Sequence, residues 1–481
     1  MKLLSNVAVG IAAVGLAACS SSSPSSPSPP PSPSSASSPP PSPALEPVEV
    51  GVIRSAQQRH MGPELSDEER ATLERSQADF AVDIYHAVRE QPRLADRDIF
   101  LSPHSISTAL AMTYAGARGE TAAEMKKALH FALPDDRLHP AFNYLDLALA
   151  SRGKNAEGKD GKPFRLVVTN SIWGQRGTRF EAPFLDTLAE SYGAGLNVVD
   201  FIAETERSRI AINGWVEEKT EKRIQNILPE GEVDMDTRLV LVNAVYFNAA
   251  WASKFEPKAT AQGPFTKTDG TVVRVPMMNS QTSRRYAKGS GYEAVEMPYD
   301  DGKRSRPWKA SRHEAAYGYP RAAGADDDSL DREMAMLVIL PAAGTFASFE
   351  ASLTGEKVLD ILASLEKTQV RLSFPKLKLE VAVGLKAPLT ALGMNRAFTG
   401  GADFSGMSTA APLQVRNVLH KTFLEVDERG TEAAASTAVT SMNSSASVGV
   451  EMKVDRPFIA AIVDRPTKTL LFLGRILEPK R

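Results

Sequence analysis

The chain has 481 residues, 42% of them hydrophobic, which is enough for one large folded domain or two ordinary ones. Its 56 Lys and Arg residues nearly balance its 58 Asp and Glu residues, which leaves a net charge of −2. This balance creates no global field that would attract nucleic acid or an anionic membrane, so nucleic acid is not an expected partner.

The N-terminus predicts export and lipidation. Residues 1–18 contain Lys2, a short apolar run and small residues, which is typical of a signal peptide and too short to span a bilayer. The following Cys19 ends the stretch LAAC, which resembles the lipobox of bacterial lipoproteins, and it is the only cysteine. We expect Cys19 to carry a lipid anchor, with no disulfide and no cysteine catalysis within the chain. Ser20 after the cysteine favours a protein anchored at the outer membrane or the cell surface, on the extracellular or periplasmic side. Which membrane leaflet it occupies is left open.

A Ser- and Pro-rich segment follows the cysteine. Residues 20–43 are almost entirely of these two types, so they cannot bury apolar surface and should stay extended. At about 3.1 Å per residue they could reach roughly 75 Å. We interpret residues 19–65 as the lipidated cysteine with its tether and residues 66–481 as the folded domain.

The first half of the folded part predicts helices. ADFAVDIYHAVRE (78–90) places its apolar residues on one helical face, and SISTALAMTYAGA (105–117) is apolar nearly all round, as in a buried helix. TAAEMKKAL begins at Thr121 and has Glu124 three residues later, which is the spacing of an N-terminal capping box. Another helix is expected in IAINGWVEEKTEKRI (210–224).

The second half predicts strands. RLVLVNAVYFNAAW (238–251) is rich in β-branched and aromatic residues, as in a buried central strand. In VRLSFPKLKLEV the apolar residues alternate with Arg371 and Ser373, the period of a half-exposed strand. Because helices and strands do not alternate as βαβ units, an α+β fold is favoured. Further strands are predicted in MAMLVILP (334–341), RPFIAAIVD (456–464) and TLLFLGRI (469–476).

Two stretches are interpreted as insertions. Residues 151–162 are rich in Gly and Lys, and residues 300–332 are long and charged, first basic in GKRSRPWKASR and then acidic in DDDSLDRE. The simplest interpretation of the two stretches is that they form solvated loops. The second stretch is also a candidate basic patch for a polyanion or for a protease surface outside its active site.

No local pattern supports catalysis or metal binding. The seven histidines are scattered, and in HEAAY, at His313, a tyrosine stands where a second zinc ligand would be needed. The chain has no G-x-S-x-G elbow and no G-x-x-x-x-G-K-[ST] phosphate loop. We therefore expect a protein that is not an enzyme, with no catalytic residues, no metal site and no cofactor. A Ser/His/Asp triad assembled in space stays open, so an enzyme is the third and weakest alternative.

Long motifs that follow one another along the chain carry a family resemblance. They are IFLSPHSISTALAMTYAGARGETAAEM, LVNAVYFNAAWASKF, LSFPKLKLE, DRPFIAAIVD, LFLGRILEP and, before the C-terminus, VLHKTFLEVDERGTEAAASTAV. Together they resemble the serpins, the serine protease inhibitor family, over about residues 70–479. The resemblance implies helices packed around a large mixed or antiparallel sheet plus smaller sheets, with an exposed reactive-centre loop. One departure is Asp98, where the family usually has Asn.

In that family a protease cleaves a bait bond in the loop and forms an acyl-enzyme, and the cut loop then enters the large sheet as a new strand. Insertion distorts the trapped enzyme before it can deacylate. The segment after Gly430 suits this route, because it has no proline up to residue 447 and its alternate residues are small or β-branched. About a dozen new ladder bonds at roughly 1 kcal/mol each would release of order 10 kcal/mol, so the uninserted form must be held kinetically. The residues that would face the core are Thr431, Ala433, Ala435, Thr437 and Val439.

The resemblance also implies the roles of individual residues. The loop hinge comprises Glu428, Gly430, Thr431, Glu432, Ala433, Ala434 and Ala435. The breach, at the top of the sheet, comprises Trp251, Lys376 and Glu428, with Lys376 and Glu428 expected to pair. The shutter, near the middle of the sheet, comprises Ser102, Ser105, Asn243 and His420.

The resemblance to inhibitory serpins also implies where the bait bond lies, by the spacing along their loop. Counting forward from the hinge leads to Ser444, with Ser445 after the cut, whereas counting back from Pro457 leads nearer Ala446. Met442 is the largest side chain in this window and would suit an apolar protease pocket. The alternatives to the bond between Ser444 and Ser445 therefore involve Met442, Asn443, Ala446 and Ser447.

These observations predict a monomeric inhibitor of serine, and also cysteine, endopeptidases. None of the candidate bait residues is Arg or Lys, so the expected target is elastase-, subtilisin- or chymotrypsin-like and not trypsin-like. The expected partner is the target protease, held as a covalent acyl complex, besides the membrane that holds Cys19. The alternative is a non-inhibitory member of the same fold that acts as a surface-binding protein.

Overall fold

Two β-sheets form the framework of the chain in the computed structural model, which describes residues 48–303, 330, 332–431 and 449–479. In chain order the strands are β1 (Gly51–Ile53), β2 (Ile99–Leu101), β3 (Arg165–Gln175), β4 (Leu196–Val199), β5 (Leu239–Ala250), β6 (Ala261–Thr266), β7 (Val272–Gly289), β8 (Tyr292–Pro298), β9 (Met334–Pro341), β10 (Glu366–Pro375), β11 (Leu377–Gly384), β12 (Val418–Asp427), β13 (Gly430–Thr431), β14 (Val450–Lys453), β15 (Phe458–Asp464) and β16 (Thr469–Ile476).

Helices pack on these sheets, so the predicted α+β class is confirmed. Within the described residues the α-helices are α1 (Asp67–Arg89), α2 (Pro103–Tyr114), α3 (Gly119–Ala128), α4 (Asp135–Ala150), α5 (Ala182–Tyr192), α6 (Thr205–Lys219), α7 (Phe346–Ala351), α8 (Gly355–Ala363) and α9 (Lys386–Ala391).

One sheet has seven strands in the order β1-β4-β3-β5-β13-β12-β11. The other has nine strands, in the order β14-β10-β7-β8-β9-β15-β16-β2, with β6 paired to β7. The predicted central strand is confirmed as β5, in which all twelve residues are buried because both faces of the sheet are covered. Both sheets are large, and the seven-stranded one combines parallel and antiparallel pairs, so the predicted fold with a large mixed sheet is confirmed.

The two faces of the seven-stranded sheet pack against different elements. Leu424 and Val426 of β12 point into the main core, on the side of the fully buried helix α2. Leu419 and Phe423 of the same strand point the other way, into a second cluster that contains Ile212 of α6. We call the side that α6 covers the outer face. In β5 the even-numbered residues face outward, as do the odd-numbered residues of β12.

Among the described α-helices, a side chain caps the start of α1 and of α8 only, and one prediction about a cap was wrong. The capping box lies at the start of α1, where Ser66 and Glu69 exchange hydrogen bonds. Helix α3 begins at Gly119, two residues before the predicted position, and it has no side-chain cap. Thr121 instead accepts a hydrogen bond from the Asp403 main chain at 2.9 Å. The spacing of Thr121 and Glu124 thus serves tertiary contacts.

Two other predicted elements differ in extent. VRLSFPKLKLEV was expected as one strand but forms two, because β10 ends at Pro375 in one sheet and β11 begins at Leu377 in the other. Lys376 is therefore placed at the junction between the sheets. The helix predicted over 210–224 is α6, which ends at Lys219 because Glu221 and Lys222 adopt positive φ.

The chain joins the sheet before residue 66, inside the range predicted as tether. Strand β1 pairs antiparallel with β4 at the edge of the seven-stranded sheet. A few residues later, Arg59 donates to Asn143 at 2.9 Å and pairs with Asp146 at 2.5 Å, both on α4. Most of the predicted insertion at 300–332, Cys19 and the Ser/Pro-rich segment lie outside the described residues.

Candidate functional site

The site is built where β5 and β12 meet in the middle of the seven-stranded sheet. The two strands pair directly and in parallel at six positions, from Val418 opposite Leu241 to Phe423 opposite Tyr246. Beyond these pairs they separate, and β13 lies between them. We call the space between residues 247–250 of β5 and 424–427 of β12 the slot.

Strand β13 consists of two residues of the predicted hinge and fills the upper end of the slot. Gly430 lies opposite Ala250 and Asp427, and Thr431 lies opposite Ala249 and Val426. A Cβ atom on Gly430 would lie 2.1 Å from the Ala249 carbonyl oxygen, so a side chain does not fit there. The sequence pattern predicted that Thr431 would face the core, and it is fully buried.

The Thr431 side chain reaches an aromatic pair. Its Oγ1 lies 2.9 Å from the Tyr299 hydroxyl. The Tyr299 ring stacks on Trp251 with the ring centroids 4.6 Å apart and the planes 13° apart. Trp251 in turn donates from Nε1 to the Asp427 carbonyl at 2.9 Å. The polar tips of the two aromatic residues are thus satisfied by β13, which fills the upper end of the slot, and by β12, which borders it.

The predicted breach residues lie together at the top of the slot. Lys376 Nζ is 2.7 Å from Glu428 Oε1, and Thr260 Oγ1 donates to the same oxygen at 2.7 Å. Burial alone raises the Glu428 carboxyl pKa, but the hydrogen bonds from Lys376 and Thr260 outweigh burial and hold this pKa below its ordinary value. The pair is mostly buried, with 20% of the Lys376 side chain and 10% of the Glu428 side chain exposed. Its main effect is to fix the start of the hinge.

The predicted shutter residues form one hydrogen-bond network below the slot. The Ser102 main chain donates to His420 Nε2 at 3.0 Å. Since Nε2 accepts, we assign the ring proton to Nδ1, which donates to Asn243 Oδ1. The Asn243 amide donates to Ser105 and Asn170, and Ser105 Oγ donates to Asn170 Oδ1 at 2.7 Å.

This network spans the two strands that pair directly. His420 on β12 lies opposite Asn243 on β5, so their side-chain hydrogen bond reinforces the strand pairing. Burial of the ring disfavours its charged form and lowers the His420 pKa to about 3. A strand that entered between β5 and β12 at this level would have to break the contact between His420 and Asn243.

Several residues of the site carry no local sequence signal. Tyr299, Thr260 and Asn170 are contacts made by the tertiary fold, and their surroundings in the sequence do not set them apart. Asp98, the departure from the family pattern, accepts from the main chain of Leu477 at 2.6 Å and of Glu478 at 3.2 Å. It therefore fixes the C-terminal segment.

Other predicted residues lie outside the described part of the chain. These are the hinge residues Glu432, Ala433, Ala434 and Ala435, and all candidates for the bait bond, namely Met442, Asn443, Ser444, Ser445, Ala446 and Ser447. Among the residues that are described, no group of three or more His, Cys, Asp or Glu side chains could hold a metal ion. No described helix is long and apolar enough to cross a membrane.

The neutral shutter histidine makes stability depend on pH. Because the His420 pKa is about 3 in the fold and near 6.5 when unfolded, its contribution is complete above pH 6.5 and is lost as the pH falls towards 3. We compare the unfolding free energy of wild type with that of His420→Gln. The excess of wild type over the variant should be smaller at pH 5 than at pH 7, and this excess should change by up to about 1.4 kcal/mol per pH unit. Urea unfolding at both pH values measures this.

Comparing wild type with His420→Gln cancels the pH dependence that other titrating groups contribute to stability. Burial also lowers the pKa values of His104 and His139, each to about 4, and both residues are present in wild type and variant alike. Two parallel pH profiles would show that His420 does not titrate as described.

The close approach at Gly430 makes that position intolerant of a side chain. In Gly430→Ala the new methyl group would collide with β5, so β13 should leave the slot and the unfolding free energy should fall by about 1–3 kcal/mol. The matched control is Gly214→Ala, where a Cβ atom meets nothing within 4 Å in α6 and stability should rise by up to about 1 kcal/mol. Equal effects of the two substitutions on urea unfolding would contradict the tight packing of Gly430.

Comparison with known proteins connects this geometry to one family. The family model described as serpin (serine protease inhibitor) matches residues 75–307 and 328–479. An uncharacterized serpin-like protein of Thermococcus kodakarensis is 37% identical over 80% of this chain and 82% of its own length. The leukocyte elastase inhibitor of Sus scrofa is 34% identical over 83% of this chain and 97% of its own length.

Solved structures agree with the sequence matches. The thermophilic serpin tengpin in its native state superposes with a TM-score of 0.73 and 28% identity, covering 90% of this chain and all of that one. Thyroxine-binding globulin in complex with thyroxine gives a TM-score of 0.69 and 26% identity, covering 85% of this chain and all of that one. The resemblance of the sequence motifs is therefore confirmed at the level of the family, and the chain belongs to the serpins.

Proposed function

We propose that the protein inhibits proteases by trapping them as its cleaved loop inserts between β5 and β12. The observation that carries this proposal is the position of β13, since the first two residues of the loop already occupy the slot as a strand. The two neighbouring strands pair directly only below that point. In the uncut chain, two residues have thus already entered the sheet, while β5 and β12 still pair directly below them.

Continuing the register of β13 defines what insertion requires. The next two residues would enter the rest of the slot, where β5 and β12 are already apart. Each residue after them separates one more position of β5 from β12 and replaces one direct pairing with two new ones. The residues in alternate positions after Thr431 would face the main core, and the sequence offers only small or β-branched side chains there. Insertion therefore adds ladder hydrogen bonds and core burial without a steric penalty from large side chains.

The barrier to insertion lies in the contacts that must first break. The six direct pairs between β5 and β12, and the hydrogen bond between His420 and Asn243, all lie in the path of the entering strand. These contacts stabilise only the uninserted state and must break before the new ones form, so they raise the barrier and also reduce the net gain. A barrier of this kind keeps the uncut inhibitor in its uninserted form although the inserted form is more stable.

The target class follows from the loop and from relatives. The candidate bait residues are small or apolar, with the bond between Ser444 and Ser445 preferred and Met442 or Ala446 as alternatives. Relatives of comparable length are named leukocyte elastase inhibitors. We accordingly assign the protein an elastase-, subtilisin- or chymotrypsin-like serine endopeptidase as target, with cysteine endopeptidases as a further class to screen.

Two measurements on the intact protein test the function. Incubation with an elastase- or subtilisin-like protease should give an SDS-resistant covalent complex. Nicking of the loop by a protease that is not trapped should raise the melting temperature by roughly 10–20 °C, as expected for a gain of order 10 kcal/mol. An unchanged melting temperature after nicking, with every tested protease released fully active, would exclude the trapping mechanism.

Thr431→Arg should convert the inhibitor into a substrate. Thr431 is fully buried against Tyr299, so an arginine at this position would place an unpaired cation in the core and stall insertion at a cost of several kcal/mol. The expected result is loop cleavage with little or no covalent complex, measured by gel densitometry against protease activity.

A matched variant separates the added charge from the substitution itself. Thr431→Ser keeps a small hydroxyl side chain at the contact with Tyr299 and adds no charge. This variant should trap protease much as wild type does. Unchanged trapping by Thr431→Arg would count against insertion past that residue.

A non-inhibitory binding role is the alternative function. Thyroxine-binding globulin, which shares the fold, is described as binding thyroxine. Bulky, charged or proline residues in the hinge would favour such a role, and the segment 430–435 has none at the positions that would face the core. The nicking experiment separates the two functions, because a protein that only binds needs no gain in stability on cleavage.

We further propose a lipid anchor at Cys19 that holds the inhibitor on the bacterial outer membrane or cell surface. The LAAC stretch, the single cysteine and the Ser/Pro-rich segment after it support this location. In a bacterial host, the full-length protein should partition into detergent and incorporate a clickable fatty acid, and Cys19→Ser should do neither. Equal partitioning of both proteins into the aqueous phase would refute the anchor.

A further inference from the structure

A loop between α4 and β3 lies over the outer face of the slot. We call residues 153–163 the strap. It is fixed to β5 at two points, where the Lys159 main chain donates to Asn248 Oδ1 at 2.8 Å and the Ala250 main chain donates to the Glu157 carbonyl at 3.3 Å. The strap is also closed on itself, since Gly158 donates to the Lys162 carbonyl at 2.6 Å. Most of this segment was expected to be a solvated insertion.

The Lys159 side chain extends from this attachment to the opposite strand. Its Nζ lies 3.0 Å from Asp427 Oδ2 and 3.7 Å from Glu425 Oε1, and it also donates to the Glu425 carbonyl at 3.4 Å. The side chain has no exposed surface. A buried ammonium group requires such partners, so it is held in place by two carboxylates of β12. One residue thus connects β5 with β12 across the slot.

The residues already seated in the slot do not conflict with Lys159. Thr431 directs its side chain to the main core, towards Tyr299. Gly430 has the outward orientation, but it has no side chain. Both residues therefore fit beneath the strap while the ion pairs of Lys159 remain intact.

The next position is different. In the register of β13, the residue that follows Thr431 would enter between Asn248 and Glu425 with its side chain directed outward. Asn248 holds the Lys159 main chain, and Glu425 is one of the carboxylates around its ammonium group. An entering side chain at this level would meet the volume that Lys159 occupies. Insertion past Thr431 thus requires the strap to shift and its ion pairs to rearrange.

We propose, on the basis of the inhibitory function above, that Lys159 is a positioning residue that stops spontaneous insertion after Thr431. The strap holds the uncut chain with two hinge residues seated and delays the entry of the third. Removal of the Lys159 charge lowers this barrier. The uncut protein then converts faster to a fully inserted, inactive form, and the cut loop inserts faster after acylation.

Lys159→Met tests this inference, because it keeps the length of the side chain and removes its charge. The expected result is about a tenfold faster loss of trapping capacity of the uncut protein on warming, the rate equivalent of about 1.4 kcal/mol. The number of inhibitor molecules consumed per trapped protease should fall towards one. Asp427→Asn removes the charge of a carboxylate that pairs with Lys159 and keeps the shape of the site. It should also accelerate the loss of trapping capacity, and it serves as the test if Lys159→Met fails to fold.

Lys378→Met is the matched control. Lys378 lies 3.8 Å from Glu425 Oε2, but it is on β11 and does not cross the slot. This variant should convert and trap at the wild-type rate. If Lys159→Met and Asp427→Asn behave like Lys378→Met in both measurements, the proposed role of Lys159 is overturned.

Amide hydrogen exchange distinguishes failure of this inference from failure of the proposed function. Residues 153–163 should be protected in the uncut protein and exchange at least about tenfold faster after the loop has been nicked. A nicked wild-type protein that gains thermal stability while the exchange of these residues stays unchanged overturns the role of the strap alone. A nicked protein that gains no stability overturns the inhibitory function, and the role of Lys159 in insertion with it.

Discussion

The direct pairing of β5 with β12 is the constraint on which the rest of the structure depends. Two long strands, buried on both faces, hold the middle of the seven-stranded sheet together through six register positions. Just above these positions the same strands are held apart by two residues of another segment. A sheet that is closed in one part and open in the next has an unfinished hydrogen-bond pattern, and completing it would release free energy.

Polar contacts border this junction on every side. Lys376 and Glu428 hold the top, Trp251 and Tyr299 line the inner face, and His420 with Asn243 ties the closed part. Each of these groups has its hydrogen bonds satisfied in the present arrangement, so the arrangement is locally stable although a better one exists. Satisfied polar groups and tight packing make such a state persistent, because every path out of it breaks contacts before new ones form.

Much of this arrangement could be predicted from sequence, for identifiable reasons. The apolar runs of β5 and α2 are long and uninterrupted, so burial determines their structure, and the small residues after Gly430 point to a strand that enters a packed core. The pairing of Lys376 with Glu428 was expected only through the family resemblance, since no local pattern connects residues 52 positions apart. The capping box predicted from Thr121 and Glu124 was wrong, because the same spacing also arises by chance where these side chains bind tertiary partners instead. The role of residues 151–162 could not be predicted, because a Gly- and Lys-rich stretch reads as solvated until the fold shows Lys159 buried beside Asp427.

The position of β1 has a mechanical consequence. The chain enters the seven-stranded sheet at its outermost strand, and Arg59 fastens the next segment to α4. If the proposed anchor at Cys19 holds the protein, a pull on the N-terminus would be borne by the pairing of β1 with β4 and by these contacts with α4. Strands β4 and β3 separate that edge from β5, so such a force would strain the edge of the sheet and leave the pairing of β5 with β12 unloaded.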